Sequence, residues 1–229
     1  GVPGAPQLDT DEIRAVVDEG RKIGLYTAAH AHGAEGIKNA VKAGVRTIEH
    51  GTLADDEAIR MMGARGIFLS STLSSNFWML KAKRNRNIPQ FMFEKAKEVT
   101  KIRKKNLEKA LKEGVKVVMG TDAGTPYNYH GKNATELIQY VKLGLMSEEE
   151  AIVASTRTAA EALGMADRIG TLEKGKSADC IVLGDNPLEN IECLNPEGSI
   201  VFVFKEGTLI KGKVDVSQWA AASSDLETN

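Results

Sequence analysis

Apolar residues at helical spacing alternate along the first half of the chain with short, β-branched or apolar runs. Residues 8–24 open on Asp9-Thr10-Asp11-Glu12, a cap followed by acids, place Ile13, Val16, Val17 and Ile23 on one side, and stop at Gly24. Residues 36–43 and 55–64 repeat the design and end before Gly44 and Gly66; glycine readily takes the left-handed turn that ends a helix. A longer helix is predicted over 91–113, with Val99, Ile102, Leu107, Ala110 and Leu111 inward and its lysines on a solvated face. The runs at 25–29, 45–48, 67–70 and 115–119 read as strands.

Strands alternating with helices argue parallel βα units. The fold class is therefore α/β, with residues 1–166 forming the second half of a TIM-type (β/α)8 barrel, four strand-helix units in all. From Gly170 the texture changes to short strands joined by glycine turns, at 170–176, 178–183 and 200–210. This predicts a small β-sandwich module over 167–215, followed by a tail, 216–229, that is a helical extension or a frayed end. A closed barrel needs eight units and typically about 250 residues. A four-stranded sheet left open would expose two edges and an uncovered apolar face. The chain is thus expected to be a C-terminal portion of a longer polypeptide, or one piece of a split enzyme whose missing half comes from another chain. Self-association is left open.

Composition narrows the classes. With 42% hydrophobic and 27% charged residues the chain has globular values, and no apolar run approaches the roughly 20 residues of a membrane span. A formal charge of −1, with no aromatics interleaved among the helix lysines, argues against a nucleic-acid surface. Two cysteines, Cys180 and Cys193, make no disulfide framework, which points to a reducing cytoplasm. No Gly-x-Gly-x-x-Gly follows a strand, and Ser70, Ser71 and Thr72 lack a nucleophile elbow.

Chemistry-bearing residues gather where the strands end: Ala29-His30-Ala31-His32-Gly33, Ile48-Glu49-His50-Gly51 and Met119-Gly120-Thr121-Asp122-Ala123-Gly124. Imidazoles and a carboxylate at strand C-termini are how a barrel enzyme grips a divalent ion, here one of His30 and His32 together with His50 and Asp122. His32 shares a strand face with His30 and either lines the pocket or merely caps a loop. His130, in the loop after the last of these strands, is open to a substrate or to solvent, and Tyr127, Asn128 and Tyr129 are candidates for one pocket wall.

These motifs, together with Gly170-Thr171-Leu172-Glu173-Lys174-Gly175-Lys176-Ser177-Ala178-Asp179, resemble the C-terminal part of the amidohydrolase superfamily. The match is strongest to its prolidase-like branch of Xaa-Pro dipeptidases, with imidazolonepropionase a more distant relation. The resemblance implies a metal-dependent hydrolase cleaving a dipeptide or short C-terminal amide. His30 and His50 would be ligands from the fifth and sixth barrel strands, and Asp122 the catalytic acid and ligand from the eighth. The branch's first-strand His-x-His pair and its carboxylated, bridging lysine have no counterpart here, so a binuclear zinc site is expected only with the missing half. Within the superfamily a cyclic-amide hydrolase or deaminase is the alternative; outside it, a metal-free binding protein or inactive fragment.

Overall fold

The computed structural model describes residues 4–82, 90–195 and 199–212, so the expected tail, 216–229, lies outside the described residues. The first helix, α1 (Thr10–Lys22), starts at a capping box: Asp9 Oδ1 accepts from the Asp11 and Glu12 amides, and Glu12 accepts from the Asp9 amide. Strand β1 (Ala28–Gly33) leads directly into α2 (Ala34–Ala43), which ends at Gly44 with φ 93°. Then come β2 (Thr47–Leu53), α3 (Asp56–Ala64), capped by Asp55 on the Ala58 amide, and β3 (Phe68–Ser70). After α4 (Leu73–Lys81) and α5 (Gln90–Lys112), β4 (Lys116–Val118) completes a parallel sheet in the order β1-β2-β3-β4.

One face of this sheet carries Ala31, Ile48, Leu69 and Val117 into the main core, against Ile37, Val41, Ile59, Met62, Leu107 and Tyr140 from the helices. The opposite face is not the uncovered apolar surface expected of an open barrel. Its C-terminal part is polar, with His30, Glu49 and Ser70 in one cross-strand row. Val118 ends the same row beside Ser70, and together with Phe68 it packs on Ala159 and Ala162. Those alanines belong to α8 (Arg157–Leu163), the last of three short helices, after α6 (Thr135–Lys142) and α7 (Glu148–Ser155), for which the sequence pattern predicted nothing.

Some sequence expectations shift. β1 starts three residues late, because Leu25 and Tyr26 stay exposed in the approach and the His-x-His pair lies within the strand. On α1 only Val17 is buried; Val16 and Ile23 are exposed, and Val16 lines a groove of about 500 Å³ along β1 with Leu8, Ile13 and Ala29. On α5 Leu107 and Ala110 are buried as expected, but Ile102 is at the surface and Arg103, 7% exposed, takes the inward place. The β module is a single antiparallel layer among the described residues, β5 (Cys180–Leu183), β6 (Ile200–Lys205) and β7 (Thr208–Lys211), not a sandwich of two. Residues 170–176 form turns, with Gly170 and Gly175 both at φ 94°, rather than a strand. None of the described helices is long and apolar enough to cross a membrane.

Candidate active site

Residues two apart on a strand share a face, so His30 and His32 both project from the polar face of β1. His50 is aligned with Ala31, whose side chain points into the helix-covered core. A regular strand would send His50 the same way. Its backbone instead adopts φ 77°, followed by Gly51 at φ 58°, and this turn brings the ring back to the rim. His50 Nε2 lies 2.9 Å from His30 Nδ1, and the His32 ring stacks on His50 with centroids 4.3 Å apart and an 8° tilt. A left-handed non-glycine residue costs on the order of 1–3 kcal/mol and persists where surrounding contacts over-determine it, characteristically at functional sites.

Those contacts come from the backs of the rings. His50 Nδ1 is 2.8 Å from Thr72 Oγ1, and His32 Nδ1 is 2.9 Å from Thr52 Oγ1. Thr72 is also left-handed, φ 53°, and stands at the N-cap of α4 without capping it, because its hydroxyl is committed to His50. The cap comes from another helix: Glu136 of α6, fully buried, accepts from the Leu73 and Ser74 amides and from the Ser71 and Ser74 hydroxyls. Burial pushes the Glu136 carboxyl above its ordinary range, against the opposing pull of these donors. From α5, Arg103 donates to Thr52 Oγ1 and to the Thr72 carbonyl.

The electrostatics favour the neutral forms of His32 and His50. Burial, reinforced by His32 and Arg103, lowers the His50 pKa to about 3, and burial together with Arg103 lowers that of His32, with Asp122 pulling the other way. A neutral imidazole is the form that ligates a metal.

Asp122, the third sequence-predicted ligand, stands on the loop after β4 with φ 55°. Asn128 is buried beneath it, donating to the Thr121 and Asp122 carbonyls, so it organises the loop rather than walling a pocket. The loop lies close to β3 because Gly120 carries no side chain: a Cβ there would fall 2.0 Å from Ser70 Oγ. His130 and Tyr129 are exposed, with the His130 ring beside Gly124. The structure thus brings His30, His32 and His50 together and leaves Asp122 in electrostatic reach of His32 and Arg103. Among the described residues no three His, Cys, Asp or Glu side chains close on one point as a bound ion would require. The donor chemistry nevertheless fits a first-row divalent ion, since two nitrogens on a tetrahedral zinc stand roughly 3.3 Å apart, close to the His30–His50 spacing.

Thr52, Thr72, Arg103, Glu136 and Asn128 were not singled out as ring holders or loop organisers from the sequence. Only Glu136 left a trace there, as a lone carboxylate in the otherwise apolar or neutral run Thr135-Glu136-Leu137-Ile138-Gln139-Tyr140.

Known proteins resemble this chain in sequence and fold. The chain is 32% identical over 211 residues to ochratoxinase of Aspergillus niger, covering 92% of this chain and 43% of that protein. A solved Xaa-Pro dipeptidase with methionine bound in its active site shares 38% identity and superposes with a TM-score of 0.80, over 90% of this chain and 50% of that one. A prolidase solved with n-methylphosphonate-l-proline shares 33% identity at a TM-score of 0.79, again over 90% and 50%. The chain therefore spans about half the length of these relatives. The amidohydrolase family model matches residues 1–210, and the chain belongs to the amidohydrolase family.

Proposed function

We propose that this chain supplies half of the active site of a metal-dependent amidohydrolase that cleaves a dipeptide or short C-terminal peptide, Xaa-Pro dipeptides foremost. The observation that carries the reading is the meeting of the His30 and His50 imidazoles, from neighbouring strands, at 2.9 Å, with His50 held from behind by the Thr72 hydroxyl and the stacked His32 by that of Thr52. Relatives that act on amides, among them prolidase and Xaa-Pro dipeptidase, support the substrate class.

In this reading His30 and His50 hold a divalent ion, zinc by preference, with Asp122 as third ligand. Such an ion lowers the pKa of water to near 7 and polarises a carbonyl when bound. Asp122 accepts the proton of the attacking water and returns it to the leaving nitrogen, acting first as base and then as acid. His32 and His130 face the substrate side. The outer edges of β1 and β4 receive the remaining barrel strands, which bring the other ligands to the polar face. The free thiols of Cys180 and Cys193 suit a reducing cytoplasm.

The test uses a polypeptide that supplies the whole barrel. Elemental analysis after purification should find zinc or a similar ion, a screen of Xaa-Pro and other dipeptides should find hydrolysis, and a chelator should abolish it. A protein with no bound ion and no cleaved dipeptide overturns the reading.

A further inference from the structure

A guanidinium buried to 7% exposure is costly unless its donors are used, and on the lysine-rich α5 an apolar residue would have packed at position 103 without that cost. Arg103 uses its donors in one place. Its Nε donates to Thr52 Oγ1 at 3.1 Å, and its Nη1 donates to the Thr72 carbonyl at 3.0 Å and to Ser75 Oγ at 3.4 Å. Thr52 ends β2 and Thr72 follows β3, so one planar fork spans two neighbouring strand ends. A lysine, with a single point of charge, does not match this geometry. The same two threonines hold His32 Nδ1 and His50 Nδ1.

We propose that Arg103 is a positioning residue: it ties the end of β2 to the segment after β3 and, through Thr52 and Thr72, fixes the ring orientations of both His32 and His50. Glu136 accepts from Ser71, Leu73 and Ser74, so residues 71–75 are held by both a buried cation and a buried acid. Partners behind a metal-binding histidine set its tautomer and orientation, and their loss typically lowers metal affinity or activity about 10- to 100-fold. The clamp acts on the site of the proposed hydrolase, but its existence can be read without any reaction.

The test is ¹⁵N–¹H correlation of the imidazole nitrogens in this chain. In the wild type His32 and His50 each give the pattern of one fixed tautomer. T52V is expected to average the His32 pattern alone, T72V the His50 pattern alone, and R103M both; R103M added to the T52V/T72V pair should change nothing further, the non-additivity of groups acting as one unit. Unchanged His32 and His50 spectra in R103M, with only a lower melting temperature, would make Arg103 a core strut and overturn the proposal. Should R103M fail to fold, R103K replaces it with the same expectation for at least one ring, and two unchanged rings are again decisive against it. In the polypeptide with the whole barrel, R103M should lower kcat about 10- to 100-fold at unchanged KM. Absent hydrolysis in the wild type would count against the proposed reaction and leave the spectra to decide the clamp.

Discussion

At the N-terminal end of the four-stranded sheet, Phe68 joins Val118, Ala159 and Ala162 in an apolar cluster, and Arg46, stacked 4.0 Å over the Tyr26 ring, donates to the Glu161 and Ala162 carbonyls that end α8. At the C-terminal end His50, Thr72 and Asp122 are all left-handed, and the contacts are hydroxyls, imidazoles and one buried guanidinium. The first end consists of apolar surface removed from water and helix-end carbonyls given donors. The second spends conformational energy to aim side chains. In barrels the C-terminal rim carries chemistry and the opposite end carries stability; here the same division is visible within four parallel strands.

Substitutions at the two ends should separate accordingly. The largest effect belongs to the rim: Asp122→Ala, in a polypeptide supplying the whole barrel, should cut dipeptide turnover about 10²- to 10⁴-fold, the range for a lost general acid-base, with the melting temperature nearly unchanged. Near-normal turnover would remove Asp122 from the reaction. At the other end Phe68→Ala should destabilise by about 3–5 kcal/mol in denaturant titrations while leaving the His32 and His50 imidazole spectra as they were; displaced spectra would show the two ends to be coupled.

Acid sharpens the contrast further. His50 titrates at about 3 in the folded chain and near 6.5 when unfolded, so the unfolded chain takes the proton first. The stability due to its neutral burial is present at pH 8 and is lost as pH falls below about 6.5, by about 2 kcal/mol at pH 5. Unfolding free energies of wild type and His50→Asn between pH 5 and 8 check this: the variant should lack that part of the slope, and equal slopes refute the assignment. The smallest effect is a control remote from the rim chemistry, Asp55→Ala, which removes the α3 cap and should cost about 1 kcal/mol with no change in the imidazole spectra.

The parts of this architecture set by local periodicity were readable from residues alone. Helices α1 to α3 follow from their caps, apolar spacing and terminal glycines, and the positions of His30 and His50 follow from strand ends. The holders of those rings left no such mark, because Thr52, Thr72 and Arg103 lie far apart in sequence and meet only through the fold. Arg103 was hidden among lysines, and the expected inward residue, Ile102, differs from it by a rotation of about 100° on the helix. The positive φ of His50 was equally invisible, since nothing in Glu49-His50-Gly51 distinguishes a straight strand from a turned one. Helices α6 to α8 were missed because each has only seven or eight residues, about two turns, too short for a periodic pattern to stand out.

The alignment of β1 with β2, His30 beside Glu49 and Ala31 beside His50, has a consequence for how such a sequence can change. Pleated side chains alternate, so slipping one strand by a single position exchanges its two faces. An insertion or deletion of one residue between Gly44 and Thr47 would present Ile48 to the open side and drive Glu49 into the apolar interior. The length of this connection is therefore fixed by the alternation of the strand it feeds.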